Sequence, residues 1–226
     1  MNSRQAQRRR QEAARARQAA KRRRRLGVAA VLAVVLVAGI GGLAVSAADR
    51  HQQPATSSRY LAGLQTGQAP WATNTADLAE RLQAIGLAPL NPIEGTAVHI
   101  HQHLDLYVDG HNVLVPAGVG IDPAVGYAPL HTHDPSGVLH VESPTVRTYT
   151  LGEFFAVWGV RFTPSCLGGD CAGGGRQLRV YVNGRADRAD PTTLVLAAHQ
   201  ELVVAFGTAA QLPSPIPSTY QFPPGE

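Results

Sequence analysis

The sequence predicts an α+β fold: an N-terminal transmembrane helix, then one extracytoplasmic domain in which a mixed sheet packs on a short helix, in the manner of a β-grasp. Three observations predict it. Residues 26–48 are apolar and uncharged, Asp109-Gly110 and Asn183-Gly184 lie between strand-like segments, and Thr150 opens a capping box ahead of an apolar helical stripe.

Residues 1–25 carry eleven Arg or Lys and one acid, Glu12, a charge of +10, whereas the rest of the chain carries −6 against a total of +4. Such a tail fits phosphate-rich partners, but the run at 26–48 argues against nucleic acid. At about 1.5 Å per residue that run spans a hydrocarbon core of roughly 30 Å. The basic flank then sets the N-terminus in the cytoplasm against anionic lipid, and the C-terminal domain outside the cell membrane. The alternative is a cleaved signal peptide, with Val45 and Ala47 at the −3 and −1 positions. The long basic region and long apolar run favour an uncleaved single-pass signal anchor.

Residues 49–72 read as a polar linker with Pro54, Thr56, Ser57 and Ser58, and residues 73–93 as a short helix and its connection. Asn74 or Thr75 can cap that helix, Leu78, Leu82 and Ile85 share one face, and Gly86 ends it. The main domain is assigned to 94–212. Its first hairpin turns at Asp109-Gly110, which pairs Val108 with His111, Leu106 with Val113 and Leu104 with Val115 on one apolar face. His99, His101, His103, Asp105 and Tyr107 therefore project from the other face. In residues 138–142, Leu139 and Val141 alternate with His140 and Glu142.

Thr150 and Glu153 form the capping box of a helix whose stripe is Leu151, Phe154, Phe155 and Trp158, stopped by Gly159. Cys166 and Cys171 flank a Gly-rich loop and are expected to pair as a disulfide outside the cell, with a soft-metal thiolate pair as the minority reading. Residues 178–182, Asn183-Gly184 and an apolar segment at 194–206 supply further strands. The tail at 213–226 is proline-rich and extended, with Tyr220 and Phe222 as docking points.

Seven of the nine histidines lie between His99 and His140. Imidazoles two apart on a strand share a face about 6.6 Å apart and can converge on one ion at about 2.0–2.1 Å. His99, His101, His103, His131, His133, His140 and Glu142 are therefore the candidate metal ligands. Three imidazoles in a row on one strand span about 13 Å, which implies a second site or an orienting role for one of them. His111 falls on the apolar side and is excluded, and His199 reads as a structural histidine. The competing reading of the clusters is a hydrogen-bonded, pH-responsive sheet face.

Asp134 either accepts a hydrogen bond in an Asx turn or orients a ligating imidazole from behind. Glu142 has three open roles: ligand, general base on a metal-bound water, or salt-bridge partner. With one methionine and oxidised cysteines, soft copper(I) ligands are scarce, so Zn(II) is the first choice and Cu(II) the second.

The motifs His131-Thr132-His133-Asp134, Gly137 to Glu142, Thr150 to Phe155 and Trp158-Gly159-Val160 resemble an uncharacterised family of membrane-anchored extracytoplasmic proteins of actinobacteria, with archaeal relatives. The resemblance covers about residues 98–207 and implies a shared architecture, with no activity attached. A cupin is not indicated, because its Glu three or four residues after H-x-H is missing.

Three functions fit these expectations. The first is a non-catalytic module that binds, buffers or delivers a divalent ion. The second is a metal-dependent enzyme with Glu142 or Asp134 as base, and the third a pH-responsive domain that meets an extracytoplasmic protein partner. No nucleophile elbow, phosphate loop or carboxylate pair at defined spacing is present.

Overall fold

In the computed structural model, residues 61–91 and 96–225 are described; the basic tail, the apolar run at 26–48 and the first half of the linker lie outside the described residues. Helix α1 spans Leu78–Ala84. Strands β1 (Val98–Val108) and β2 (His111–Val113) form the first hairpin. Three two-residue strands follow, β3 (Ile121–Asp122), β4 (Gly126–Tyr127) and β5 (Leu130–His131), before β6 (Val138–Ser143). Helix α2 spans Leu151–Trp158. The chain ends with β7 (Cys166–Leu167), β8 (Asp170–Cys171), β9 (Gln177–Val182), β10 (Arg185–Asp187) and β11 (Glu201–Gly207).

Seven strands make one mixed sheet in the order β10-β9-β11-β1-β6-β5, with β2 beside β1, and β3-β4 and β7-β8 are separate ribbons. The expectation of an α+β fold is therefore corrected: the described chain is mostly sheet. Its two α-helices hold seven and eight residues, and none of the helices among the described residues is long and apolar enough to cross a membrane. An eight-residue helix is about 12 Å long, whereas six strands side by side extend roughly 24 Å, so α2 cannot be the second layer that a β-grasp requires.

The hairpin register follows from its turn. Asp109 and Gly110 both have positive φ (51° and 86°), as a type I′ turn demands. Val108 pairs with His111 and Leu106 with Val113. Leu104 and Leu106 face the core, beside Leu139 and Val141 of β6 and Leu202, Val204 and Phe206 of β11.

Helix α2 closes that core. Thr150 Oγ1 accepts from Glu153 N at 3.2 Å, and Thr150 N donates to Glu153 Oε2 at 2.8 Å. Gly159 supplies the left-handed cap at φ 74°, and Leu151, Phe154, Phe155 and Trp158 are fully buried.

Trp71, Leu78, Leu82 and Leu87 join the same cluster. Trp71 meets Trp158 edge to face at 5.9 Å, and Trp158 Nε1 donates to Ala72 O at 2.8 Å. Helix α1 starts later than a cap at Asn74 or Thr75 would place it: its N-cap is Asp77, and no side chain caps it.

Cys166 and Cys171 face each other across β7-β8 and are disulfide-bonded, so the thiolate-pair reading is overturned. So short a loop gains only about 2 kcal/mol in the chain-entropy model. The Cys166→Ser/Cys171→Ser double variant is expected to lose no more than that, read as a lower denaturant midpoint at unchanged slope. A larger loss would show that the ribbon itself holds the core.

Candidate metal centre

The polar face of β1 meets its neighbours in register. Across β1 and β6, His99 lies opposite Glu142 and His101 opposite His140; across β6 and β5, His140 lies opposite His131. Because strands alternate faces, His101, His140 and His131 form one row of imidazoles across three strands. His133 follows from the loop after β5.

The rings touch in sequence: His99–His101 at 4.8 Å, His101–His140 at 4.5 Å, His140–His133 at 4.5 Å and His133–His131 at 4.8 Å between centroids. One ligand atom from each of His131, His133, His140 and Glu142 lies within 4.8 Å of every other, and so do those of His99, His101 and His140. Ligands at 2.0–2.1 Å in a tetrahedron sit about 3.4 Å apart, so small side-chain movements close either set on an ion. These His and Glu groups can hold a metal ion. Six of the seven candidate ligands thus fall into two groups sharing His140.

His131 carries the strongest mark of a ligand. It is 1% exposed, and its Nδ1–H donates to Ala128 O at 2.9 Å. That bond leaves the lone pair on Nε2, which is buried, has no hydrogen-bond partner and lies 3.7 Å from Glu142 Oε1. A backbone acceptor on one nitrogen and an open lone pair on the other is the usual preparation of a ligating imidazole.

Burial lowers His131 to about 4, against the opposing pulls of Ala128 O and Glu142. Burial, reinforced by His101, His131, His133 and His99, lowers His140 to about 3. Both are neutral at pH 7, the form that binds metal.

The unfolded chain takes up these protons near pH 6.5 and the folded chain only below 4 and 3, so stability falls as pH drops through that window. At pH 5 the loss is roughly 2 kcal/mol for each of the two groups, less an opposite contribution from His103. The melting temperature of the metal-free protein is expected to fall between pH 7.5 and 5; a flat profile would contradict the neutral buried pair.

His103 stands apart from these groups. Its Nδ1–H donates to Glu201 Oε2 at 2.8 Å and its Nε2–H to Ser136 O at 2.9 Å. Burial lowers its pKa, but the bonds and charge of Glu201, with help from Asp105, more than compensate and raise it. Both ring nitrogens thus face acceptors, and His103, Asp105 and Glu201 also lie close enough to form a third set that could hold an ion. A Cβ at Gly137, whose φ is +89°, would sit 2.9 Å from His103 Nε2, so glycine is required there.

Asp134 takes the Asx-turn role: its Oδ1 accepts from Ser136 N at 2.9 Å. The hydrogen bonds from Ser136 hold its pKa below the usual carboxylate range. His111 is exposed and lies in neither group. His199 sits in a turn at φ 57°, where its N–H donates to His101 O at 2.7 Å. The tail docks through the expected aromatics, Tyr220 stacking on His103 at 3.8 Å and Phe222 packing on His199 at 4.9 Å.

Two residues were not singled out from sequence. Glu201 is 1% exposed and is the partner of His103; an acid heading the apolar run at 202–206 was the available signal. Tyr127 sets its ring edge against His131 at 5.3 Å, and nothing in the sequence marked it. No protein family, no curated protein and no solved structure matches this chain.

Proposed function

We propose that this protein binds a divalent metal ion through His131, His133, His140 and Glu142, and that it holds, buffers or delivers that ion on the outer side of the cell membrane. The observation that carries the reading is His131 Nε2, a buried lone pair with a fixed tautomer, 3.7 Å from the carboxylate of Glu142. Three imidazoles and a carboxylate suit Zn(II) first and Cu(II) second. The uncharged run at 26–48 and its basic flank support anchoring at the membrane with the N-terminus in the cytoplasm, against anionic lipid. The motif likeness to the actinobacterial family is part of the same proposal.

Calorimetric titration of the metal-free full chain with Zn(II) and Cu(II) tests the reading. Saturable binding is expected, unchanged within about twofold in His111→Ala, whose side chain stands outside the groups. No binding of either ion would sink it.

A further inference from the structure

We infer that the histidine face holds two ions rather than one, bridged by the carboxylate of Glu142; this rests on the metal-binding reading above. Five imidazoles and one carboxylate gather here, more than the four ligands of a tetrahedral ion. They divide by strand. His99 and His101 come from β1 on one side of β6, His131 and His133 from β5 and its following loop on the other. The ligand atoms follow the same division: His99 and His101 fall in one close set, His131 and His133 in another, and the two sets share His140.

Glu142 lies between the pairs. Its Oε1 is 3.4 Å from His99 Nε2 and 3.7 Å from His131 Nε2. A carboxylate with two oxygens can face both ways and hold ions about 3.5–4 Å apart, the spacing of two-metal sites.

The inner ion takes His131, His133, His140 and one oxygen of Glu142. The outer ion takes His99, His101 and the other oxygen. The half-exposed ring of His99 leaves the outer ion open to solvent, so it has room for water or a small anion and is the more easily exchanged of the two.

The test is Cu(II) titration of the metal-free full chain, with equivalents counted by calorimetry and the spin state followed by electron paramagnetic resonance. Two equivalents are expected, the second broadening or erasing the isolated Cu(II) signal of the first. His99→Ala, a change at a half-exposed position, is expected to bind one equivalent and to keep the isolated signal. A single equivalent in the unaltered chain would overturn the two-ion inference while leaving metal binding intact. Two equivalents in His99→Ala would overturn the placement of the outer ion, and no binding at all would overturn both readings.

Discussion

Replacing His131 by alanine is expected to weaken Zn(II) binding by more than about 100-fold, since orienting partners behind a ligand are alone worth 10–100-fold. The side chain is buried at the end of the imidazole row, its Nδ1–H held by Ala128 O and its Nε2 3.7 Å from Glu142 Oε1. Alanine removes the ligand and leaves a cavity, so the loss needs a control for folding. His133→Ala supplies it, because His133 is exposed and its removal costs no core packing. The two variants are expected to lose affinity together, while only His131→Ala loses melting temperature in the absence of metal. Full affinity in His133→Ala would remove it from the inner set.

The largest expected effect on stability is at Arg81, which is fully buried. Its Nε and Nη2 donate to Val157 O at 3.2 and 3.1 Å, Nη1 donates to Ala62 O at 3.4 Å, and Nη2 also donates to Asn74 O. One guanidinium thus satisfies a carbonyl near the C-terminus of α2 and two carbonyls of the segment before α1. Burial lowers its pKa, against the pull of Asp77 and Glu80, while the backbone acceptors satisfy its N–H groups.

Arg81→Met keeps the length of the side chain and strands one buried and two part-buried carbonyls. The expected cost is about 3–5 kcal/mol, the range for breaking a buried charged network. A loss below about 1 kcal/mol in chemical unfolding would show that the contacts are weak.

What the sequence made legible was whatever a local rule governs. The Asp-Gly turn set the β1-β2 register, and period-two alternation put His99, His101 and His103 on one face. The capping box and Gly159 bounded α2. Those rules act over a few residues, and six of the seven residues they singled out gather in two close groups.

The rest depends on pairings far apart in sequence. Glu201 reaches His103 across a parallel pairing of residues 98 apart, and nothing near either residue announces it. That contact gives a candidate ligand a buried carboxylate partner.

Arg81 stands three residues from Leu78, on the helical face where an apolar residue is expected. Its partners are backbone carbonyls, which a sequence cannot mark. The fold class failed for a related reason. Strands β3, β4, β5, β7 and β8 are two residues each, too short for any periodicity, yet together with the long ladders they make the domain mostly sheet.

The central claim is that a divalent ion sits among His131, His133, His140 and Glu142. X-ray absorption at the zinc edge, on the full chain loaded with one equivalent of Zn(II), tests it most directly. The account predicts a first shell of about four nitrogen and oxygen atoms at roughly 2.0–2.1 Å, with the outer-shell scattering of about three imidazoles. A shell containing sulfur, or one of oxygen atoms without imidazole scattering, would contradict it.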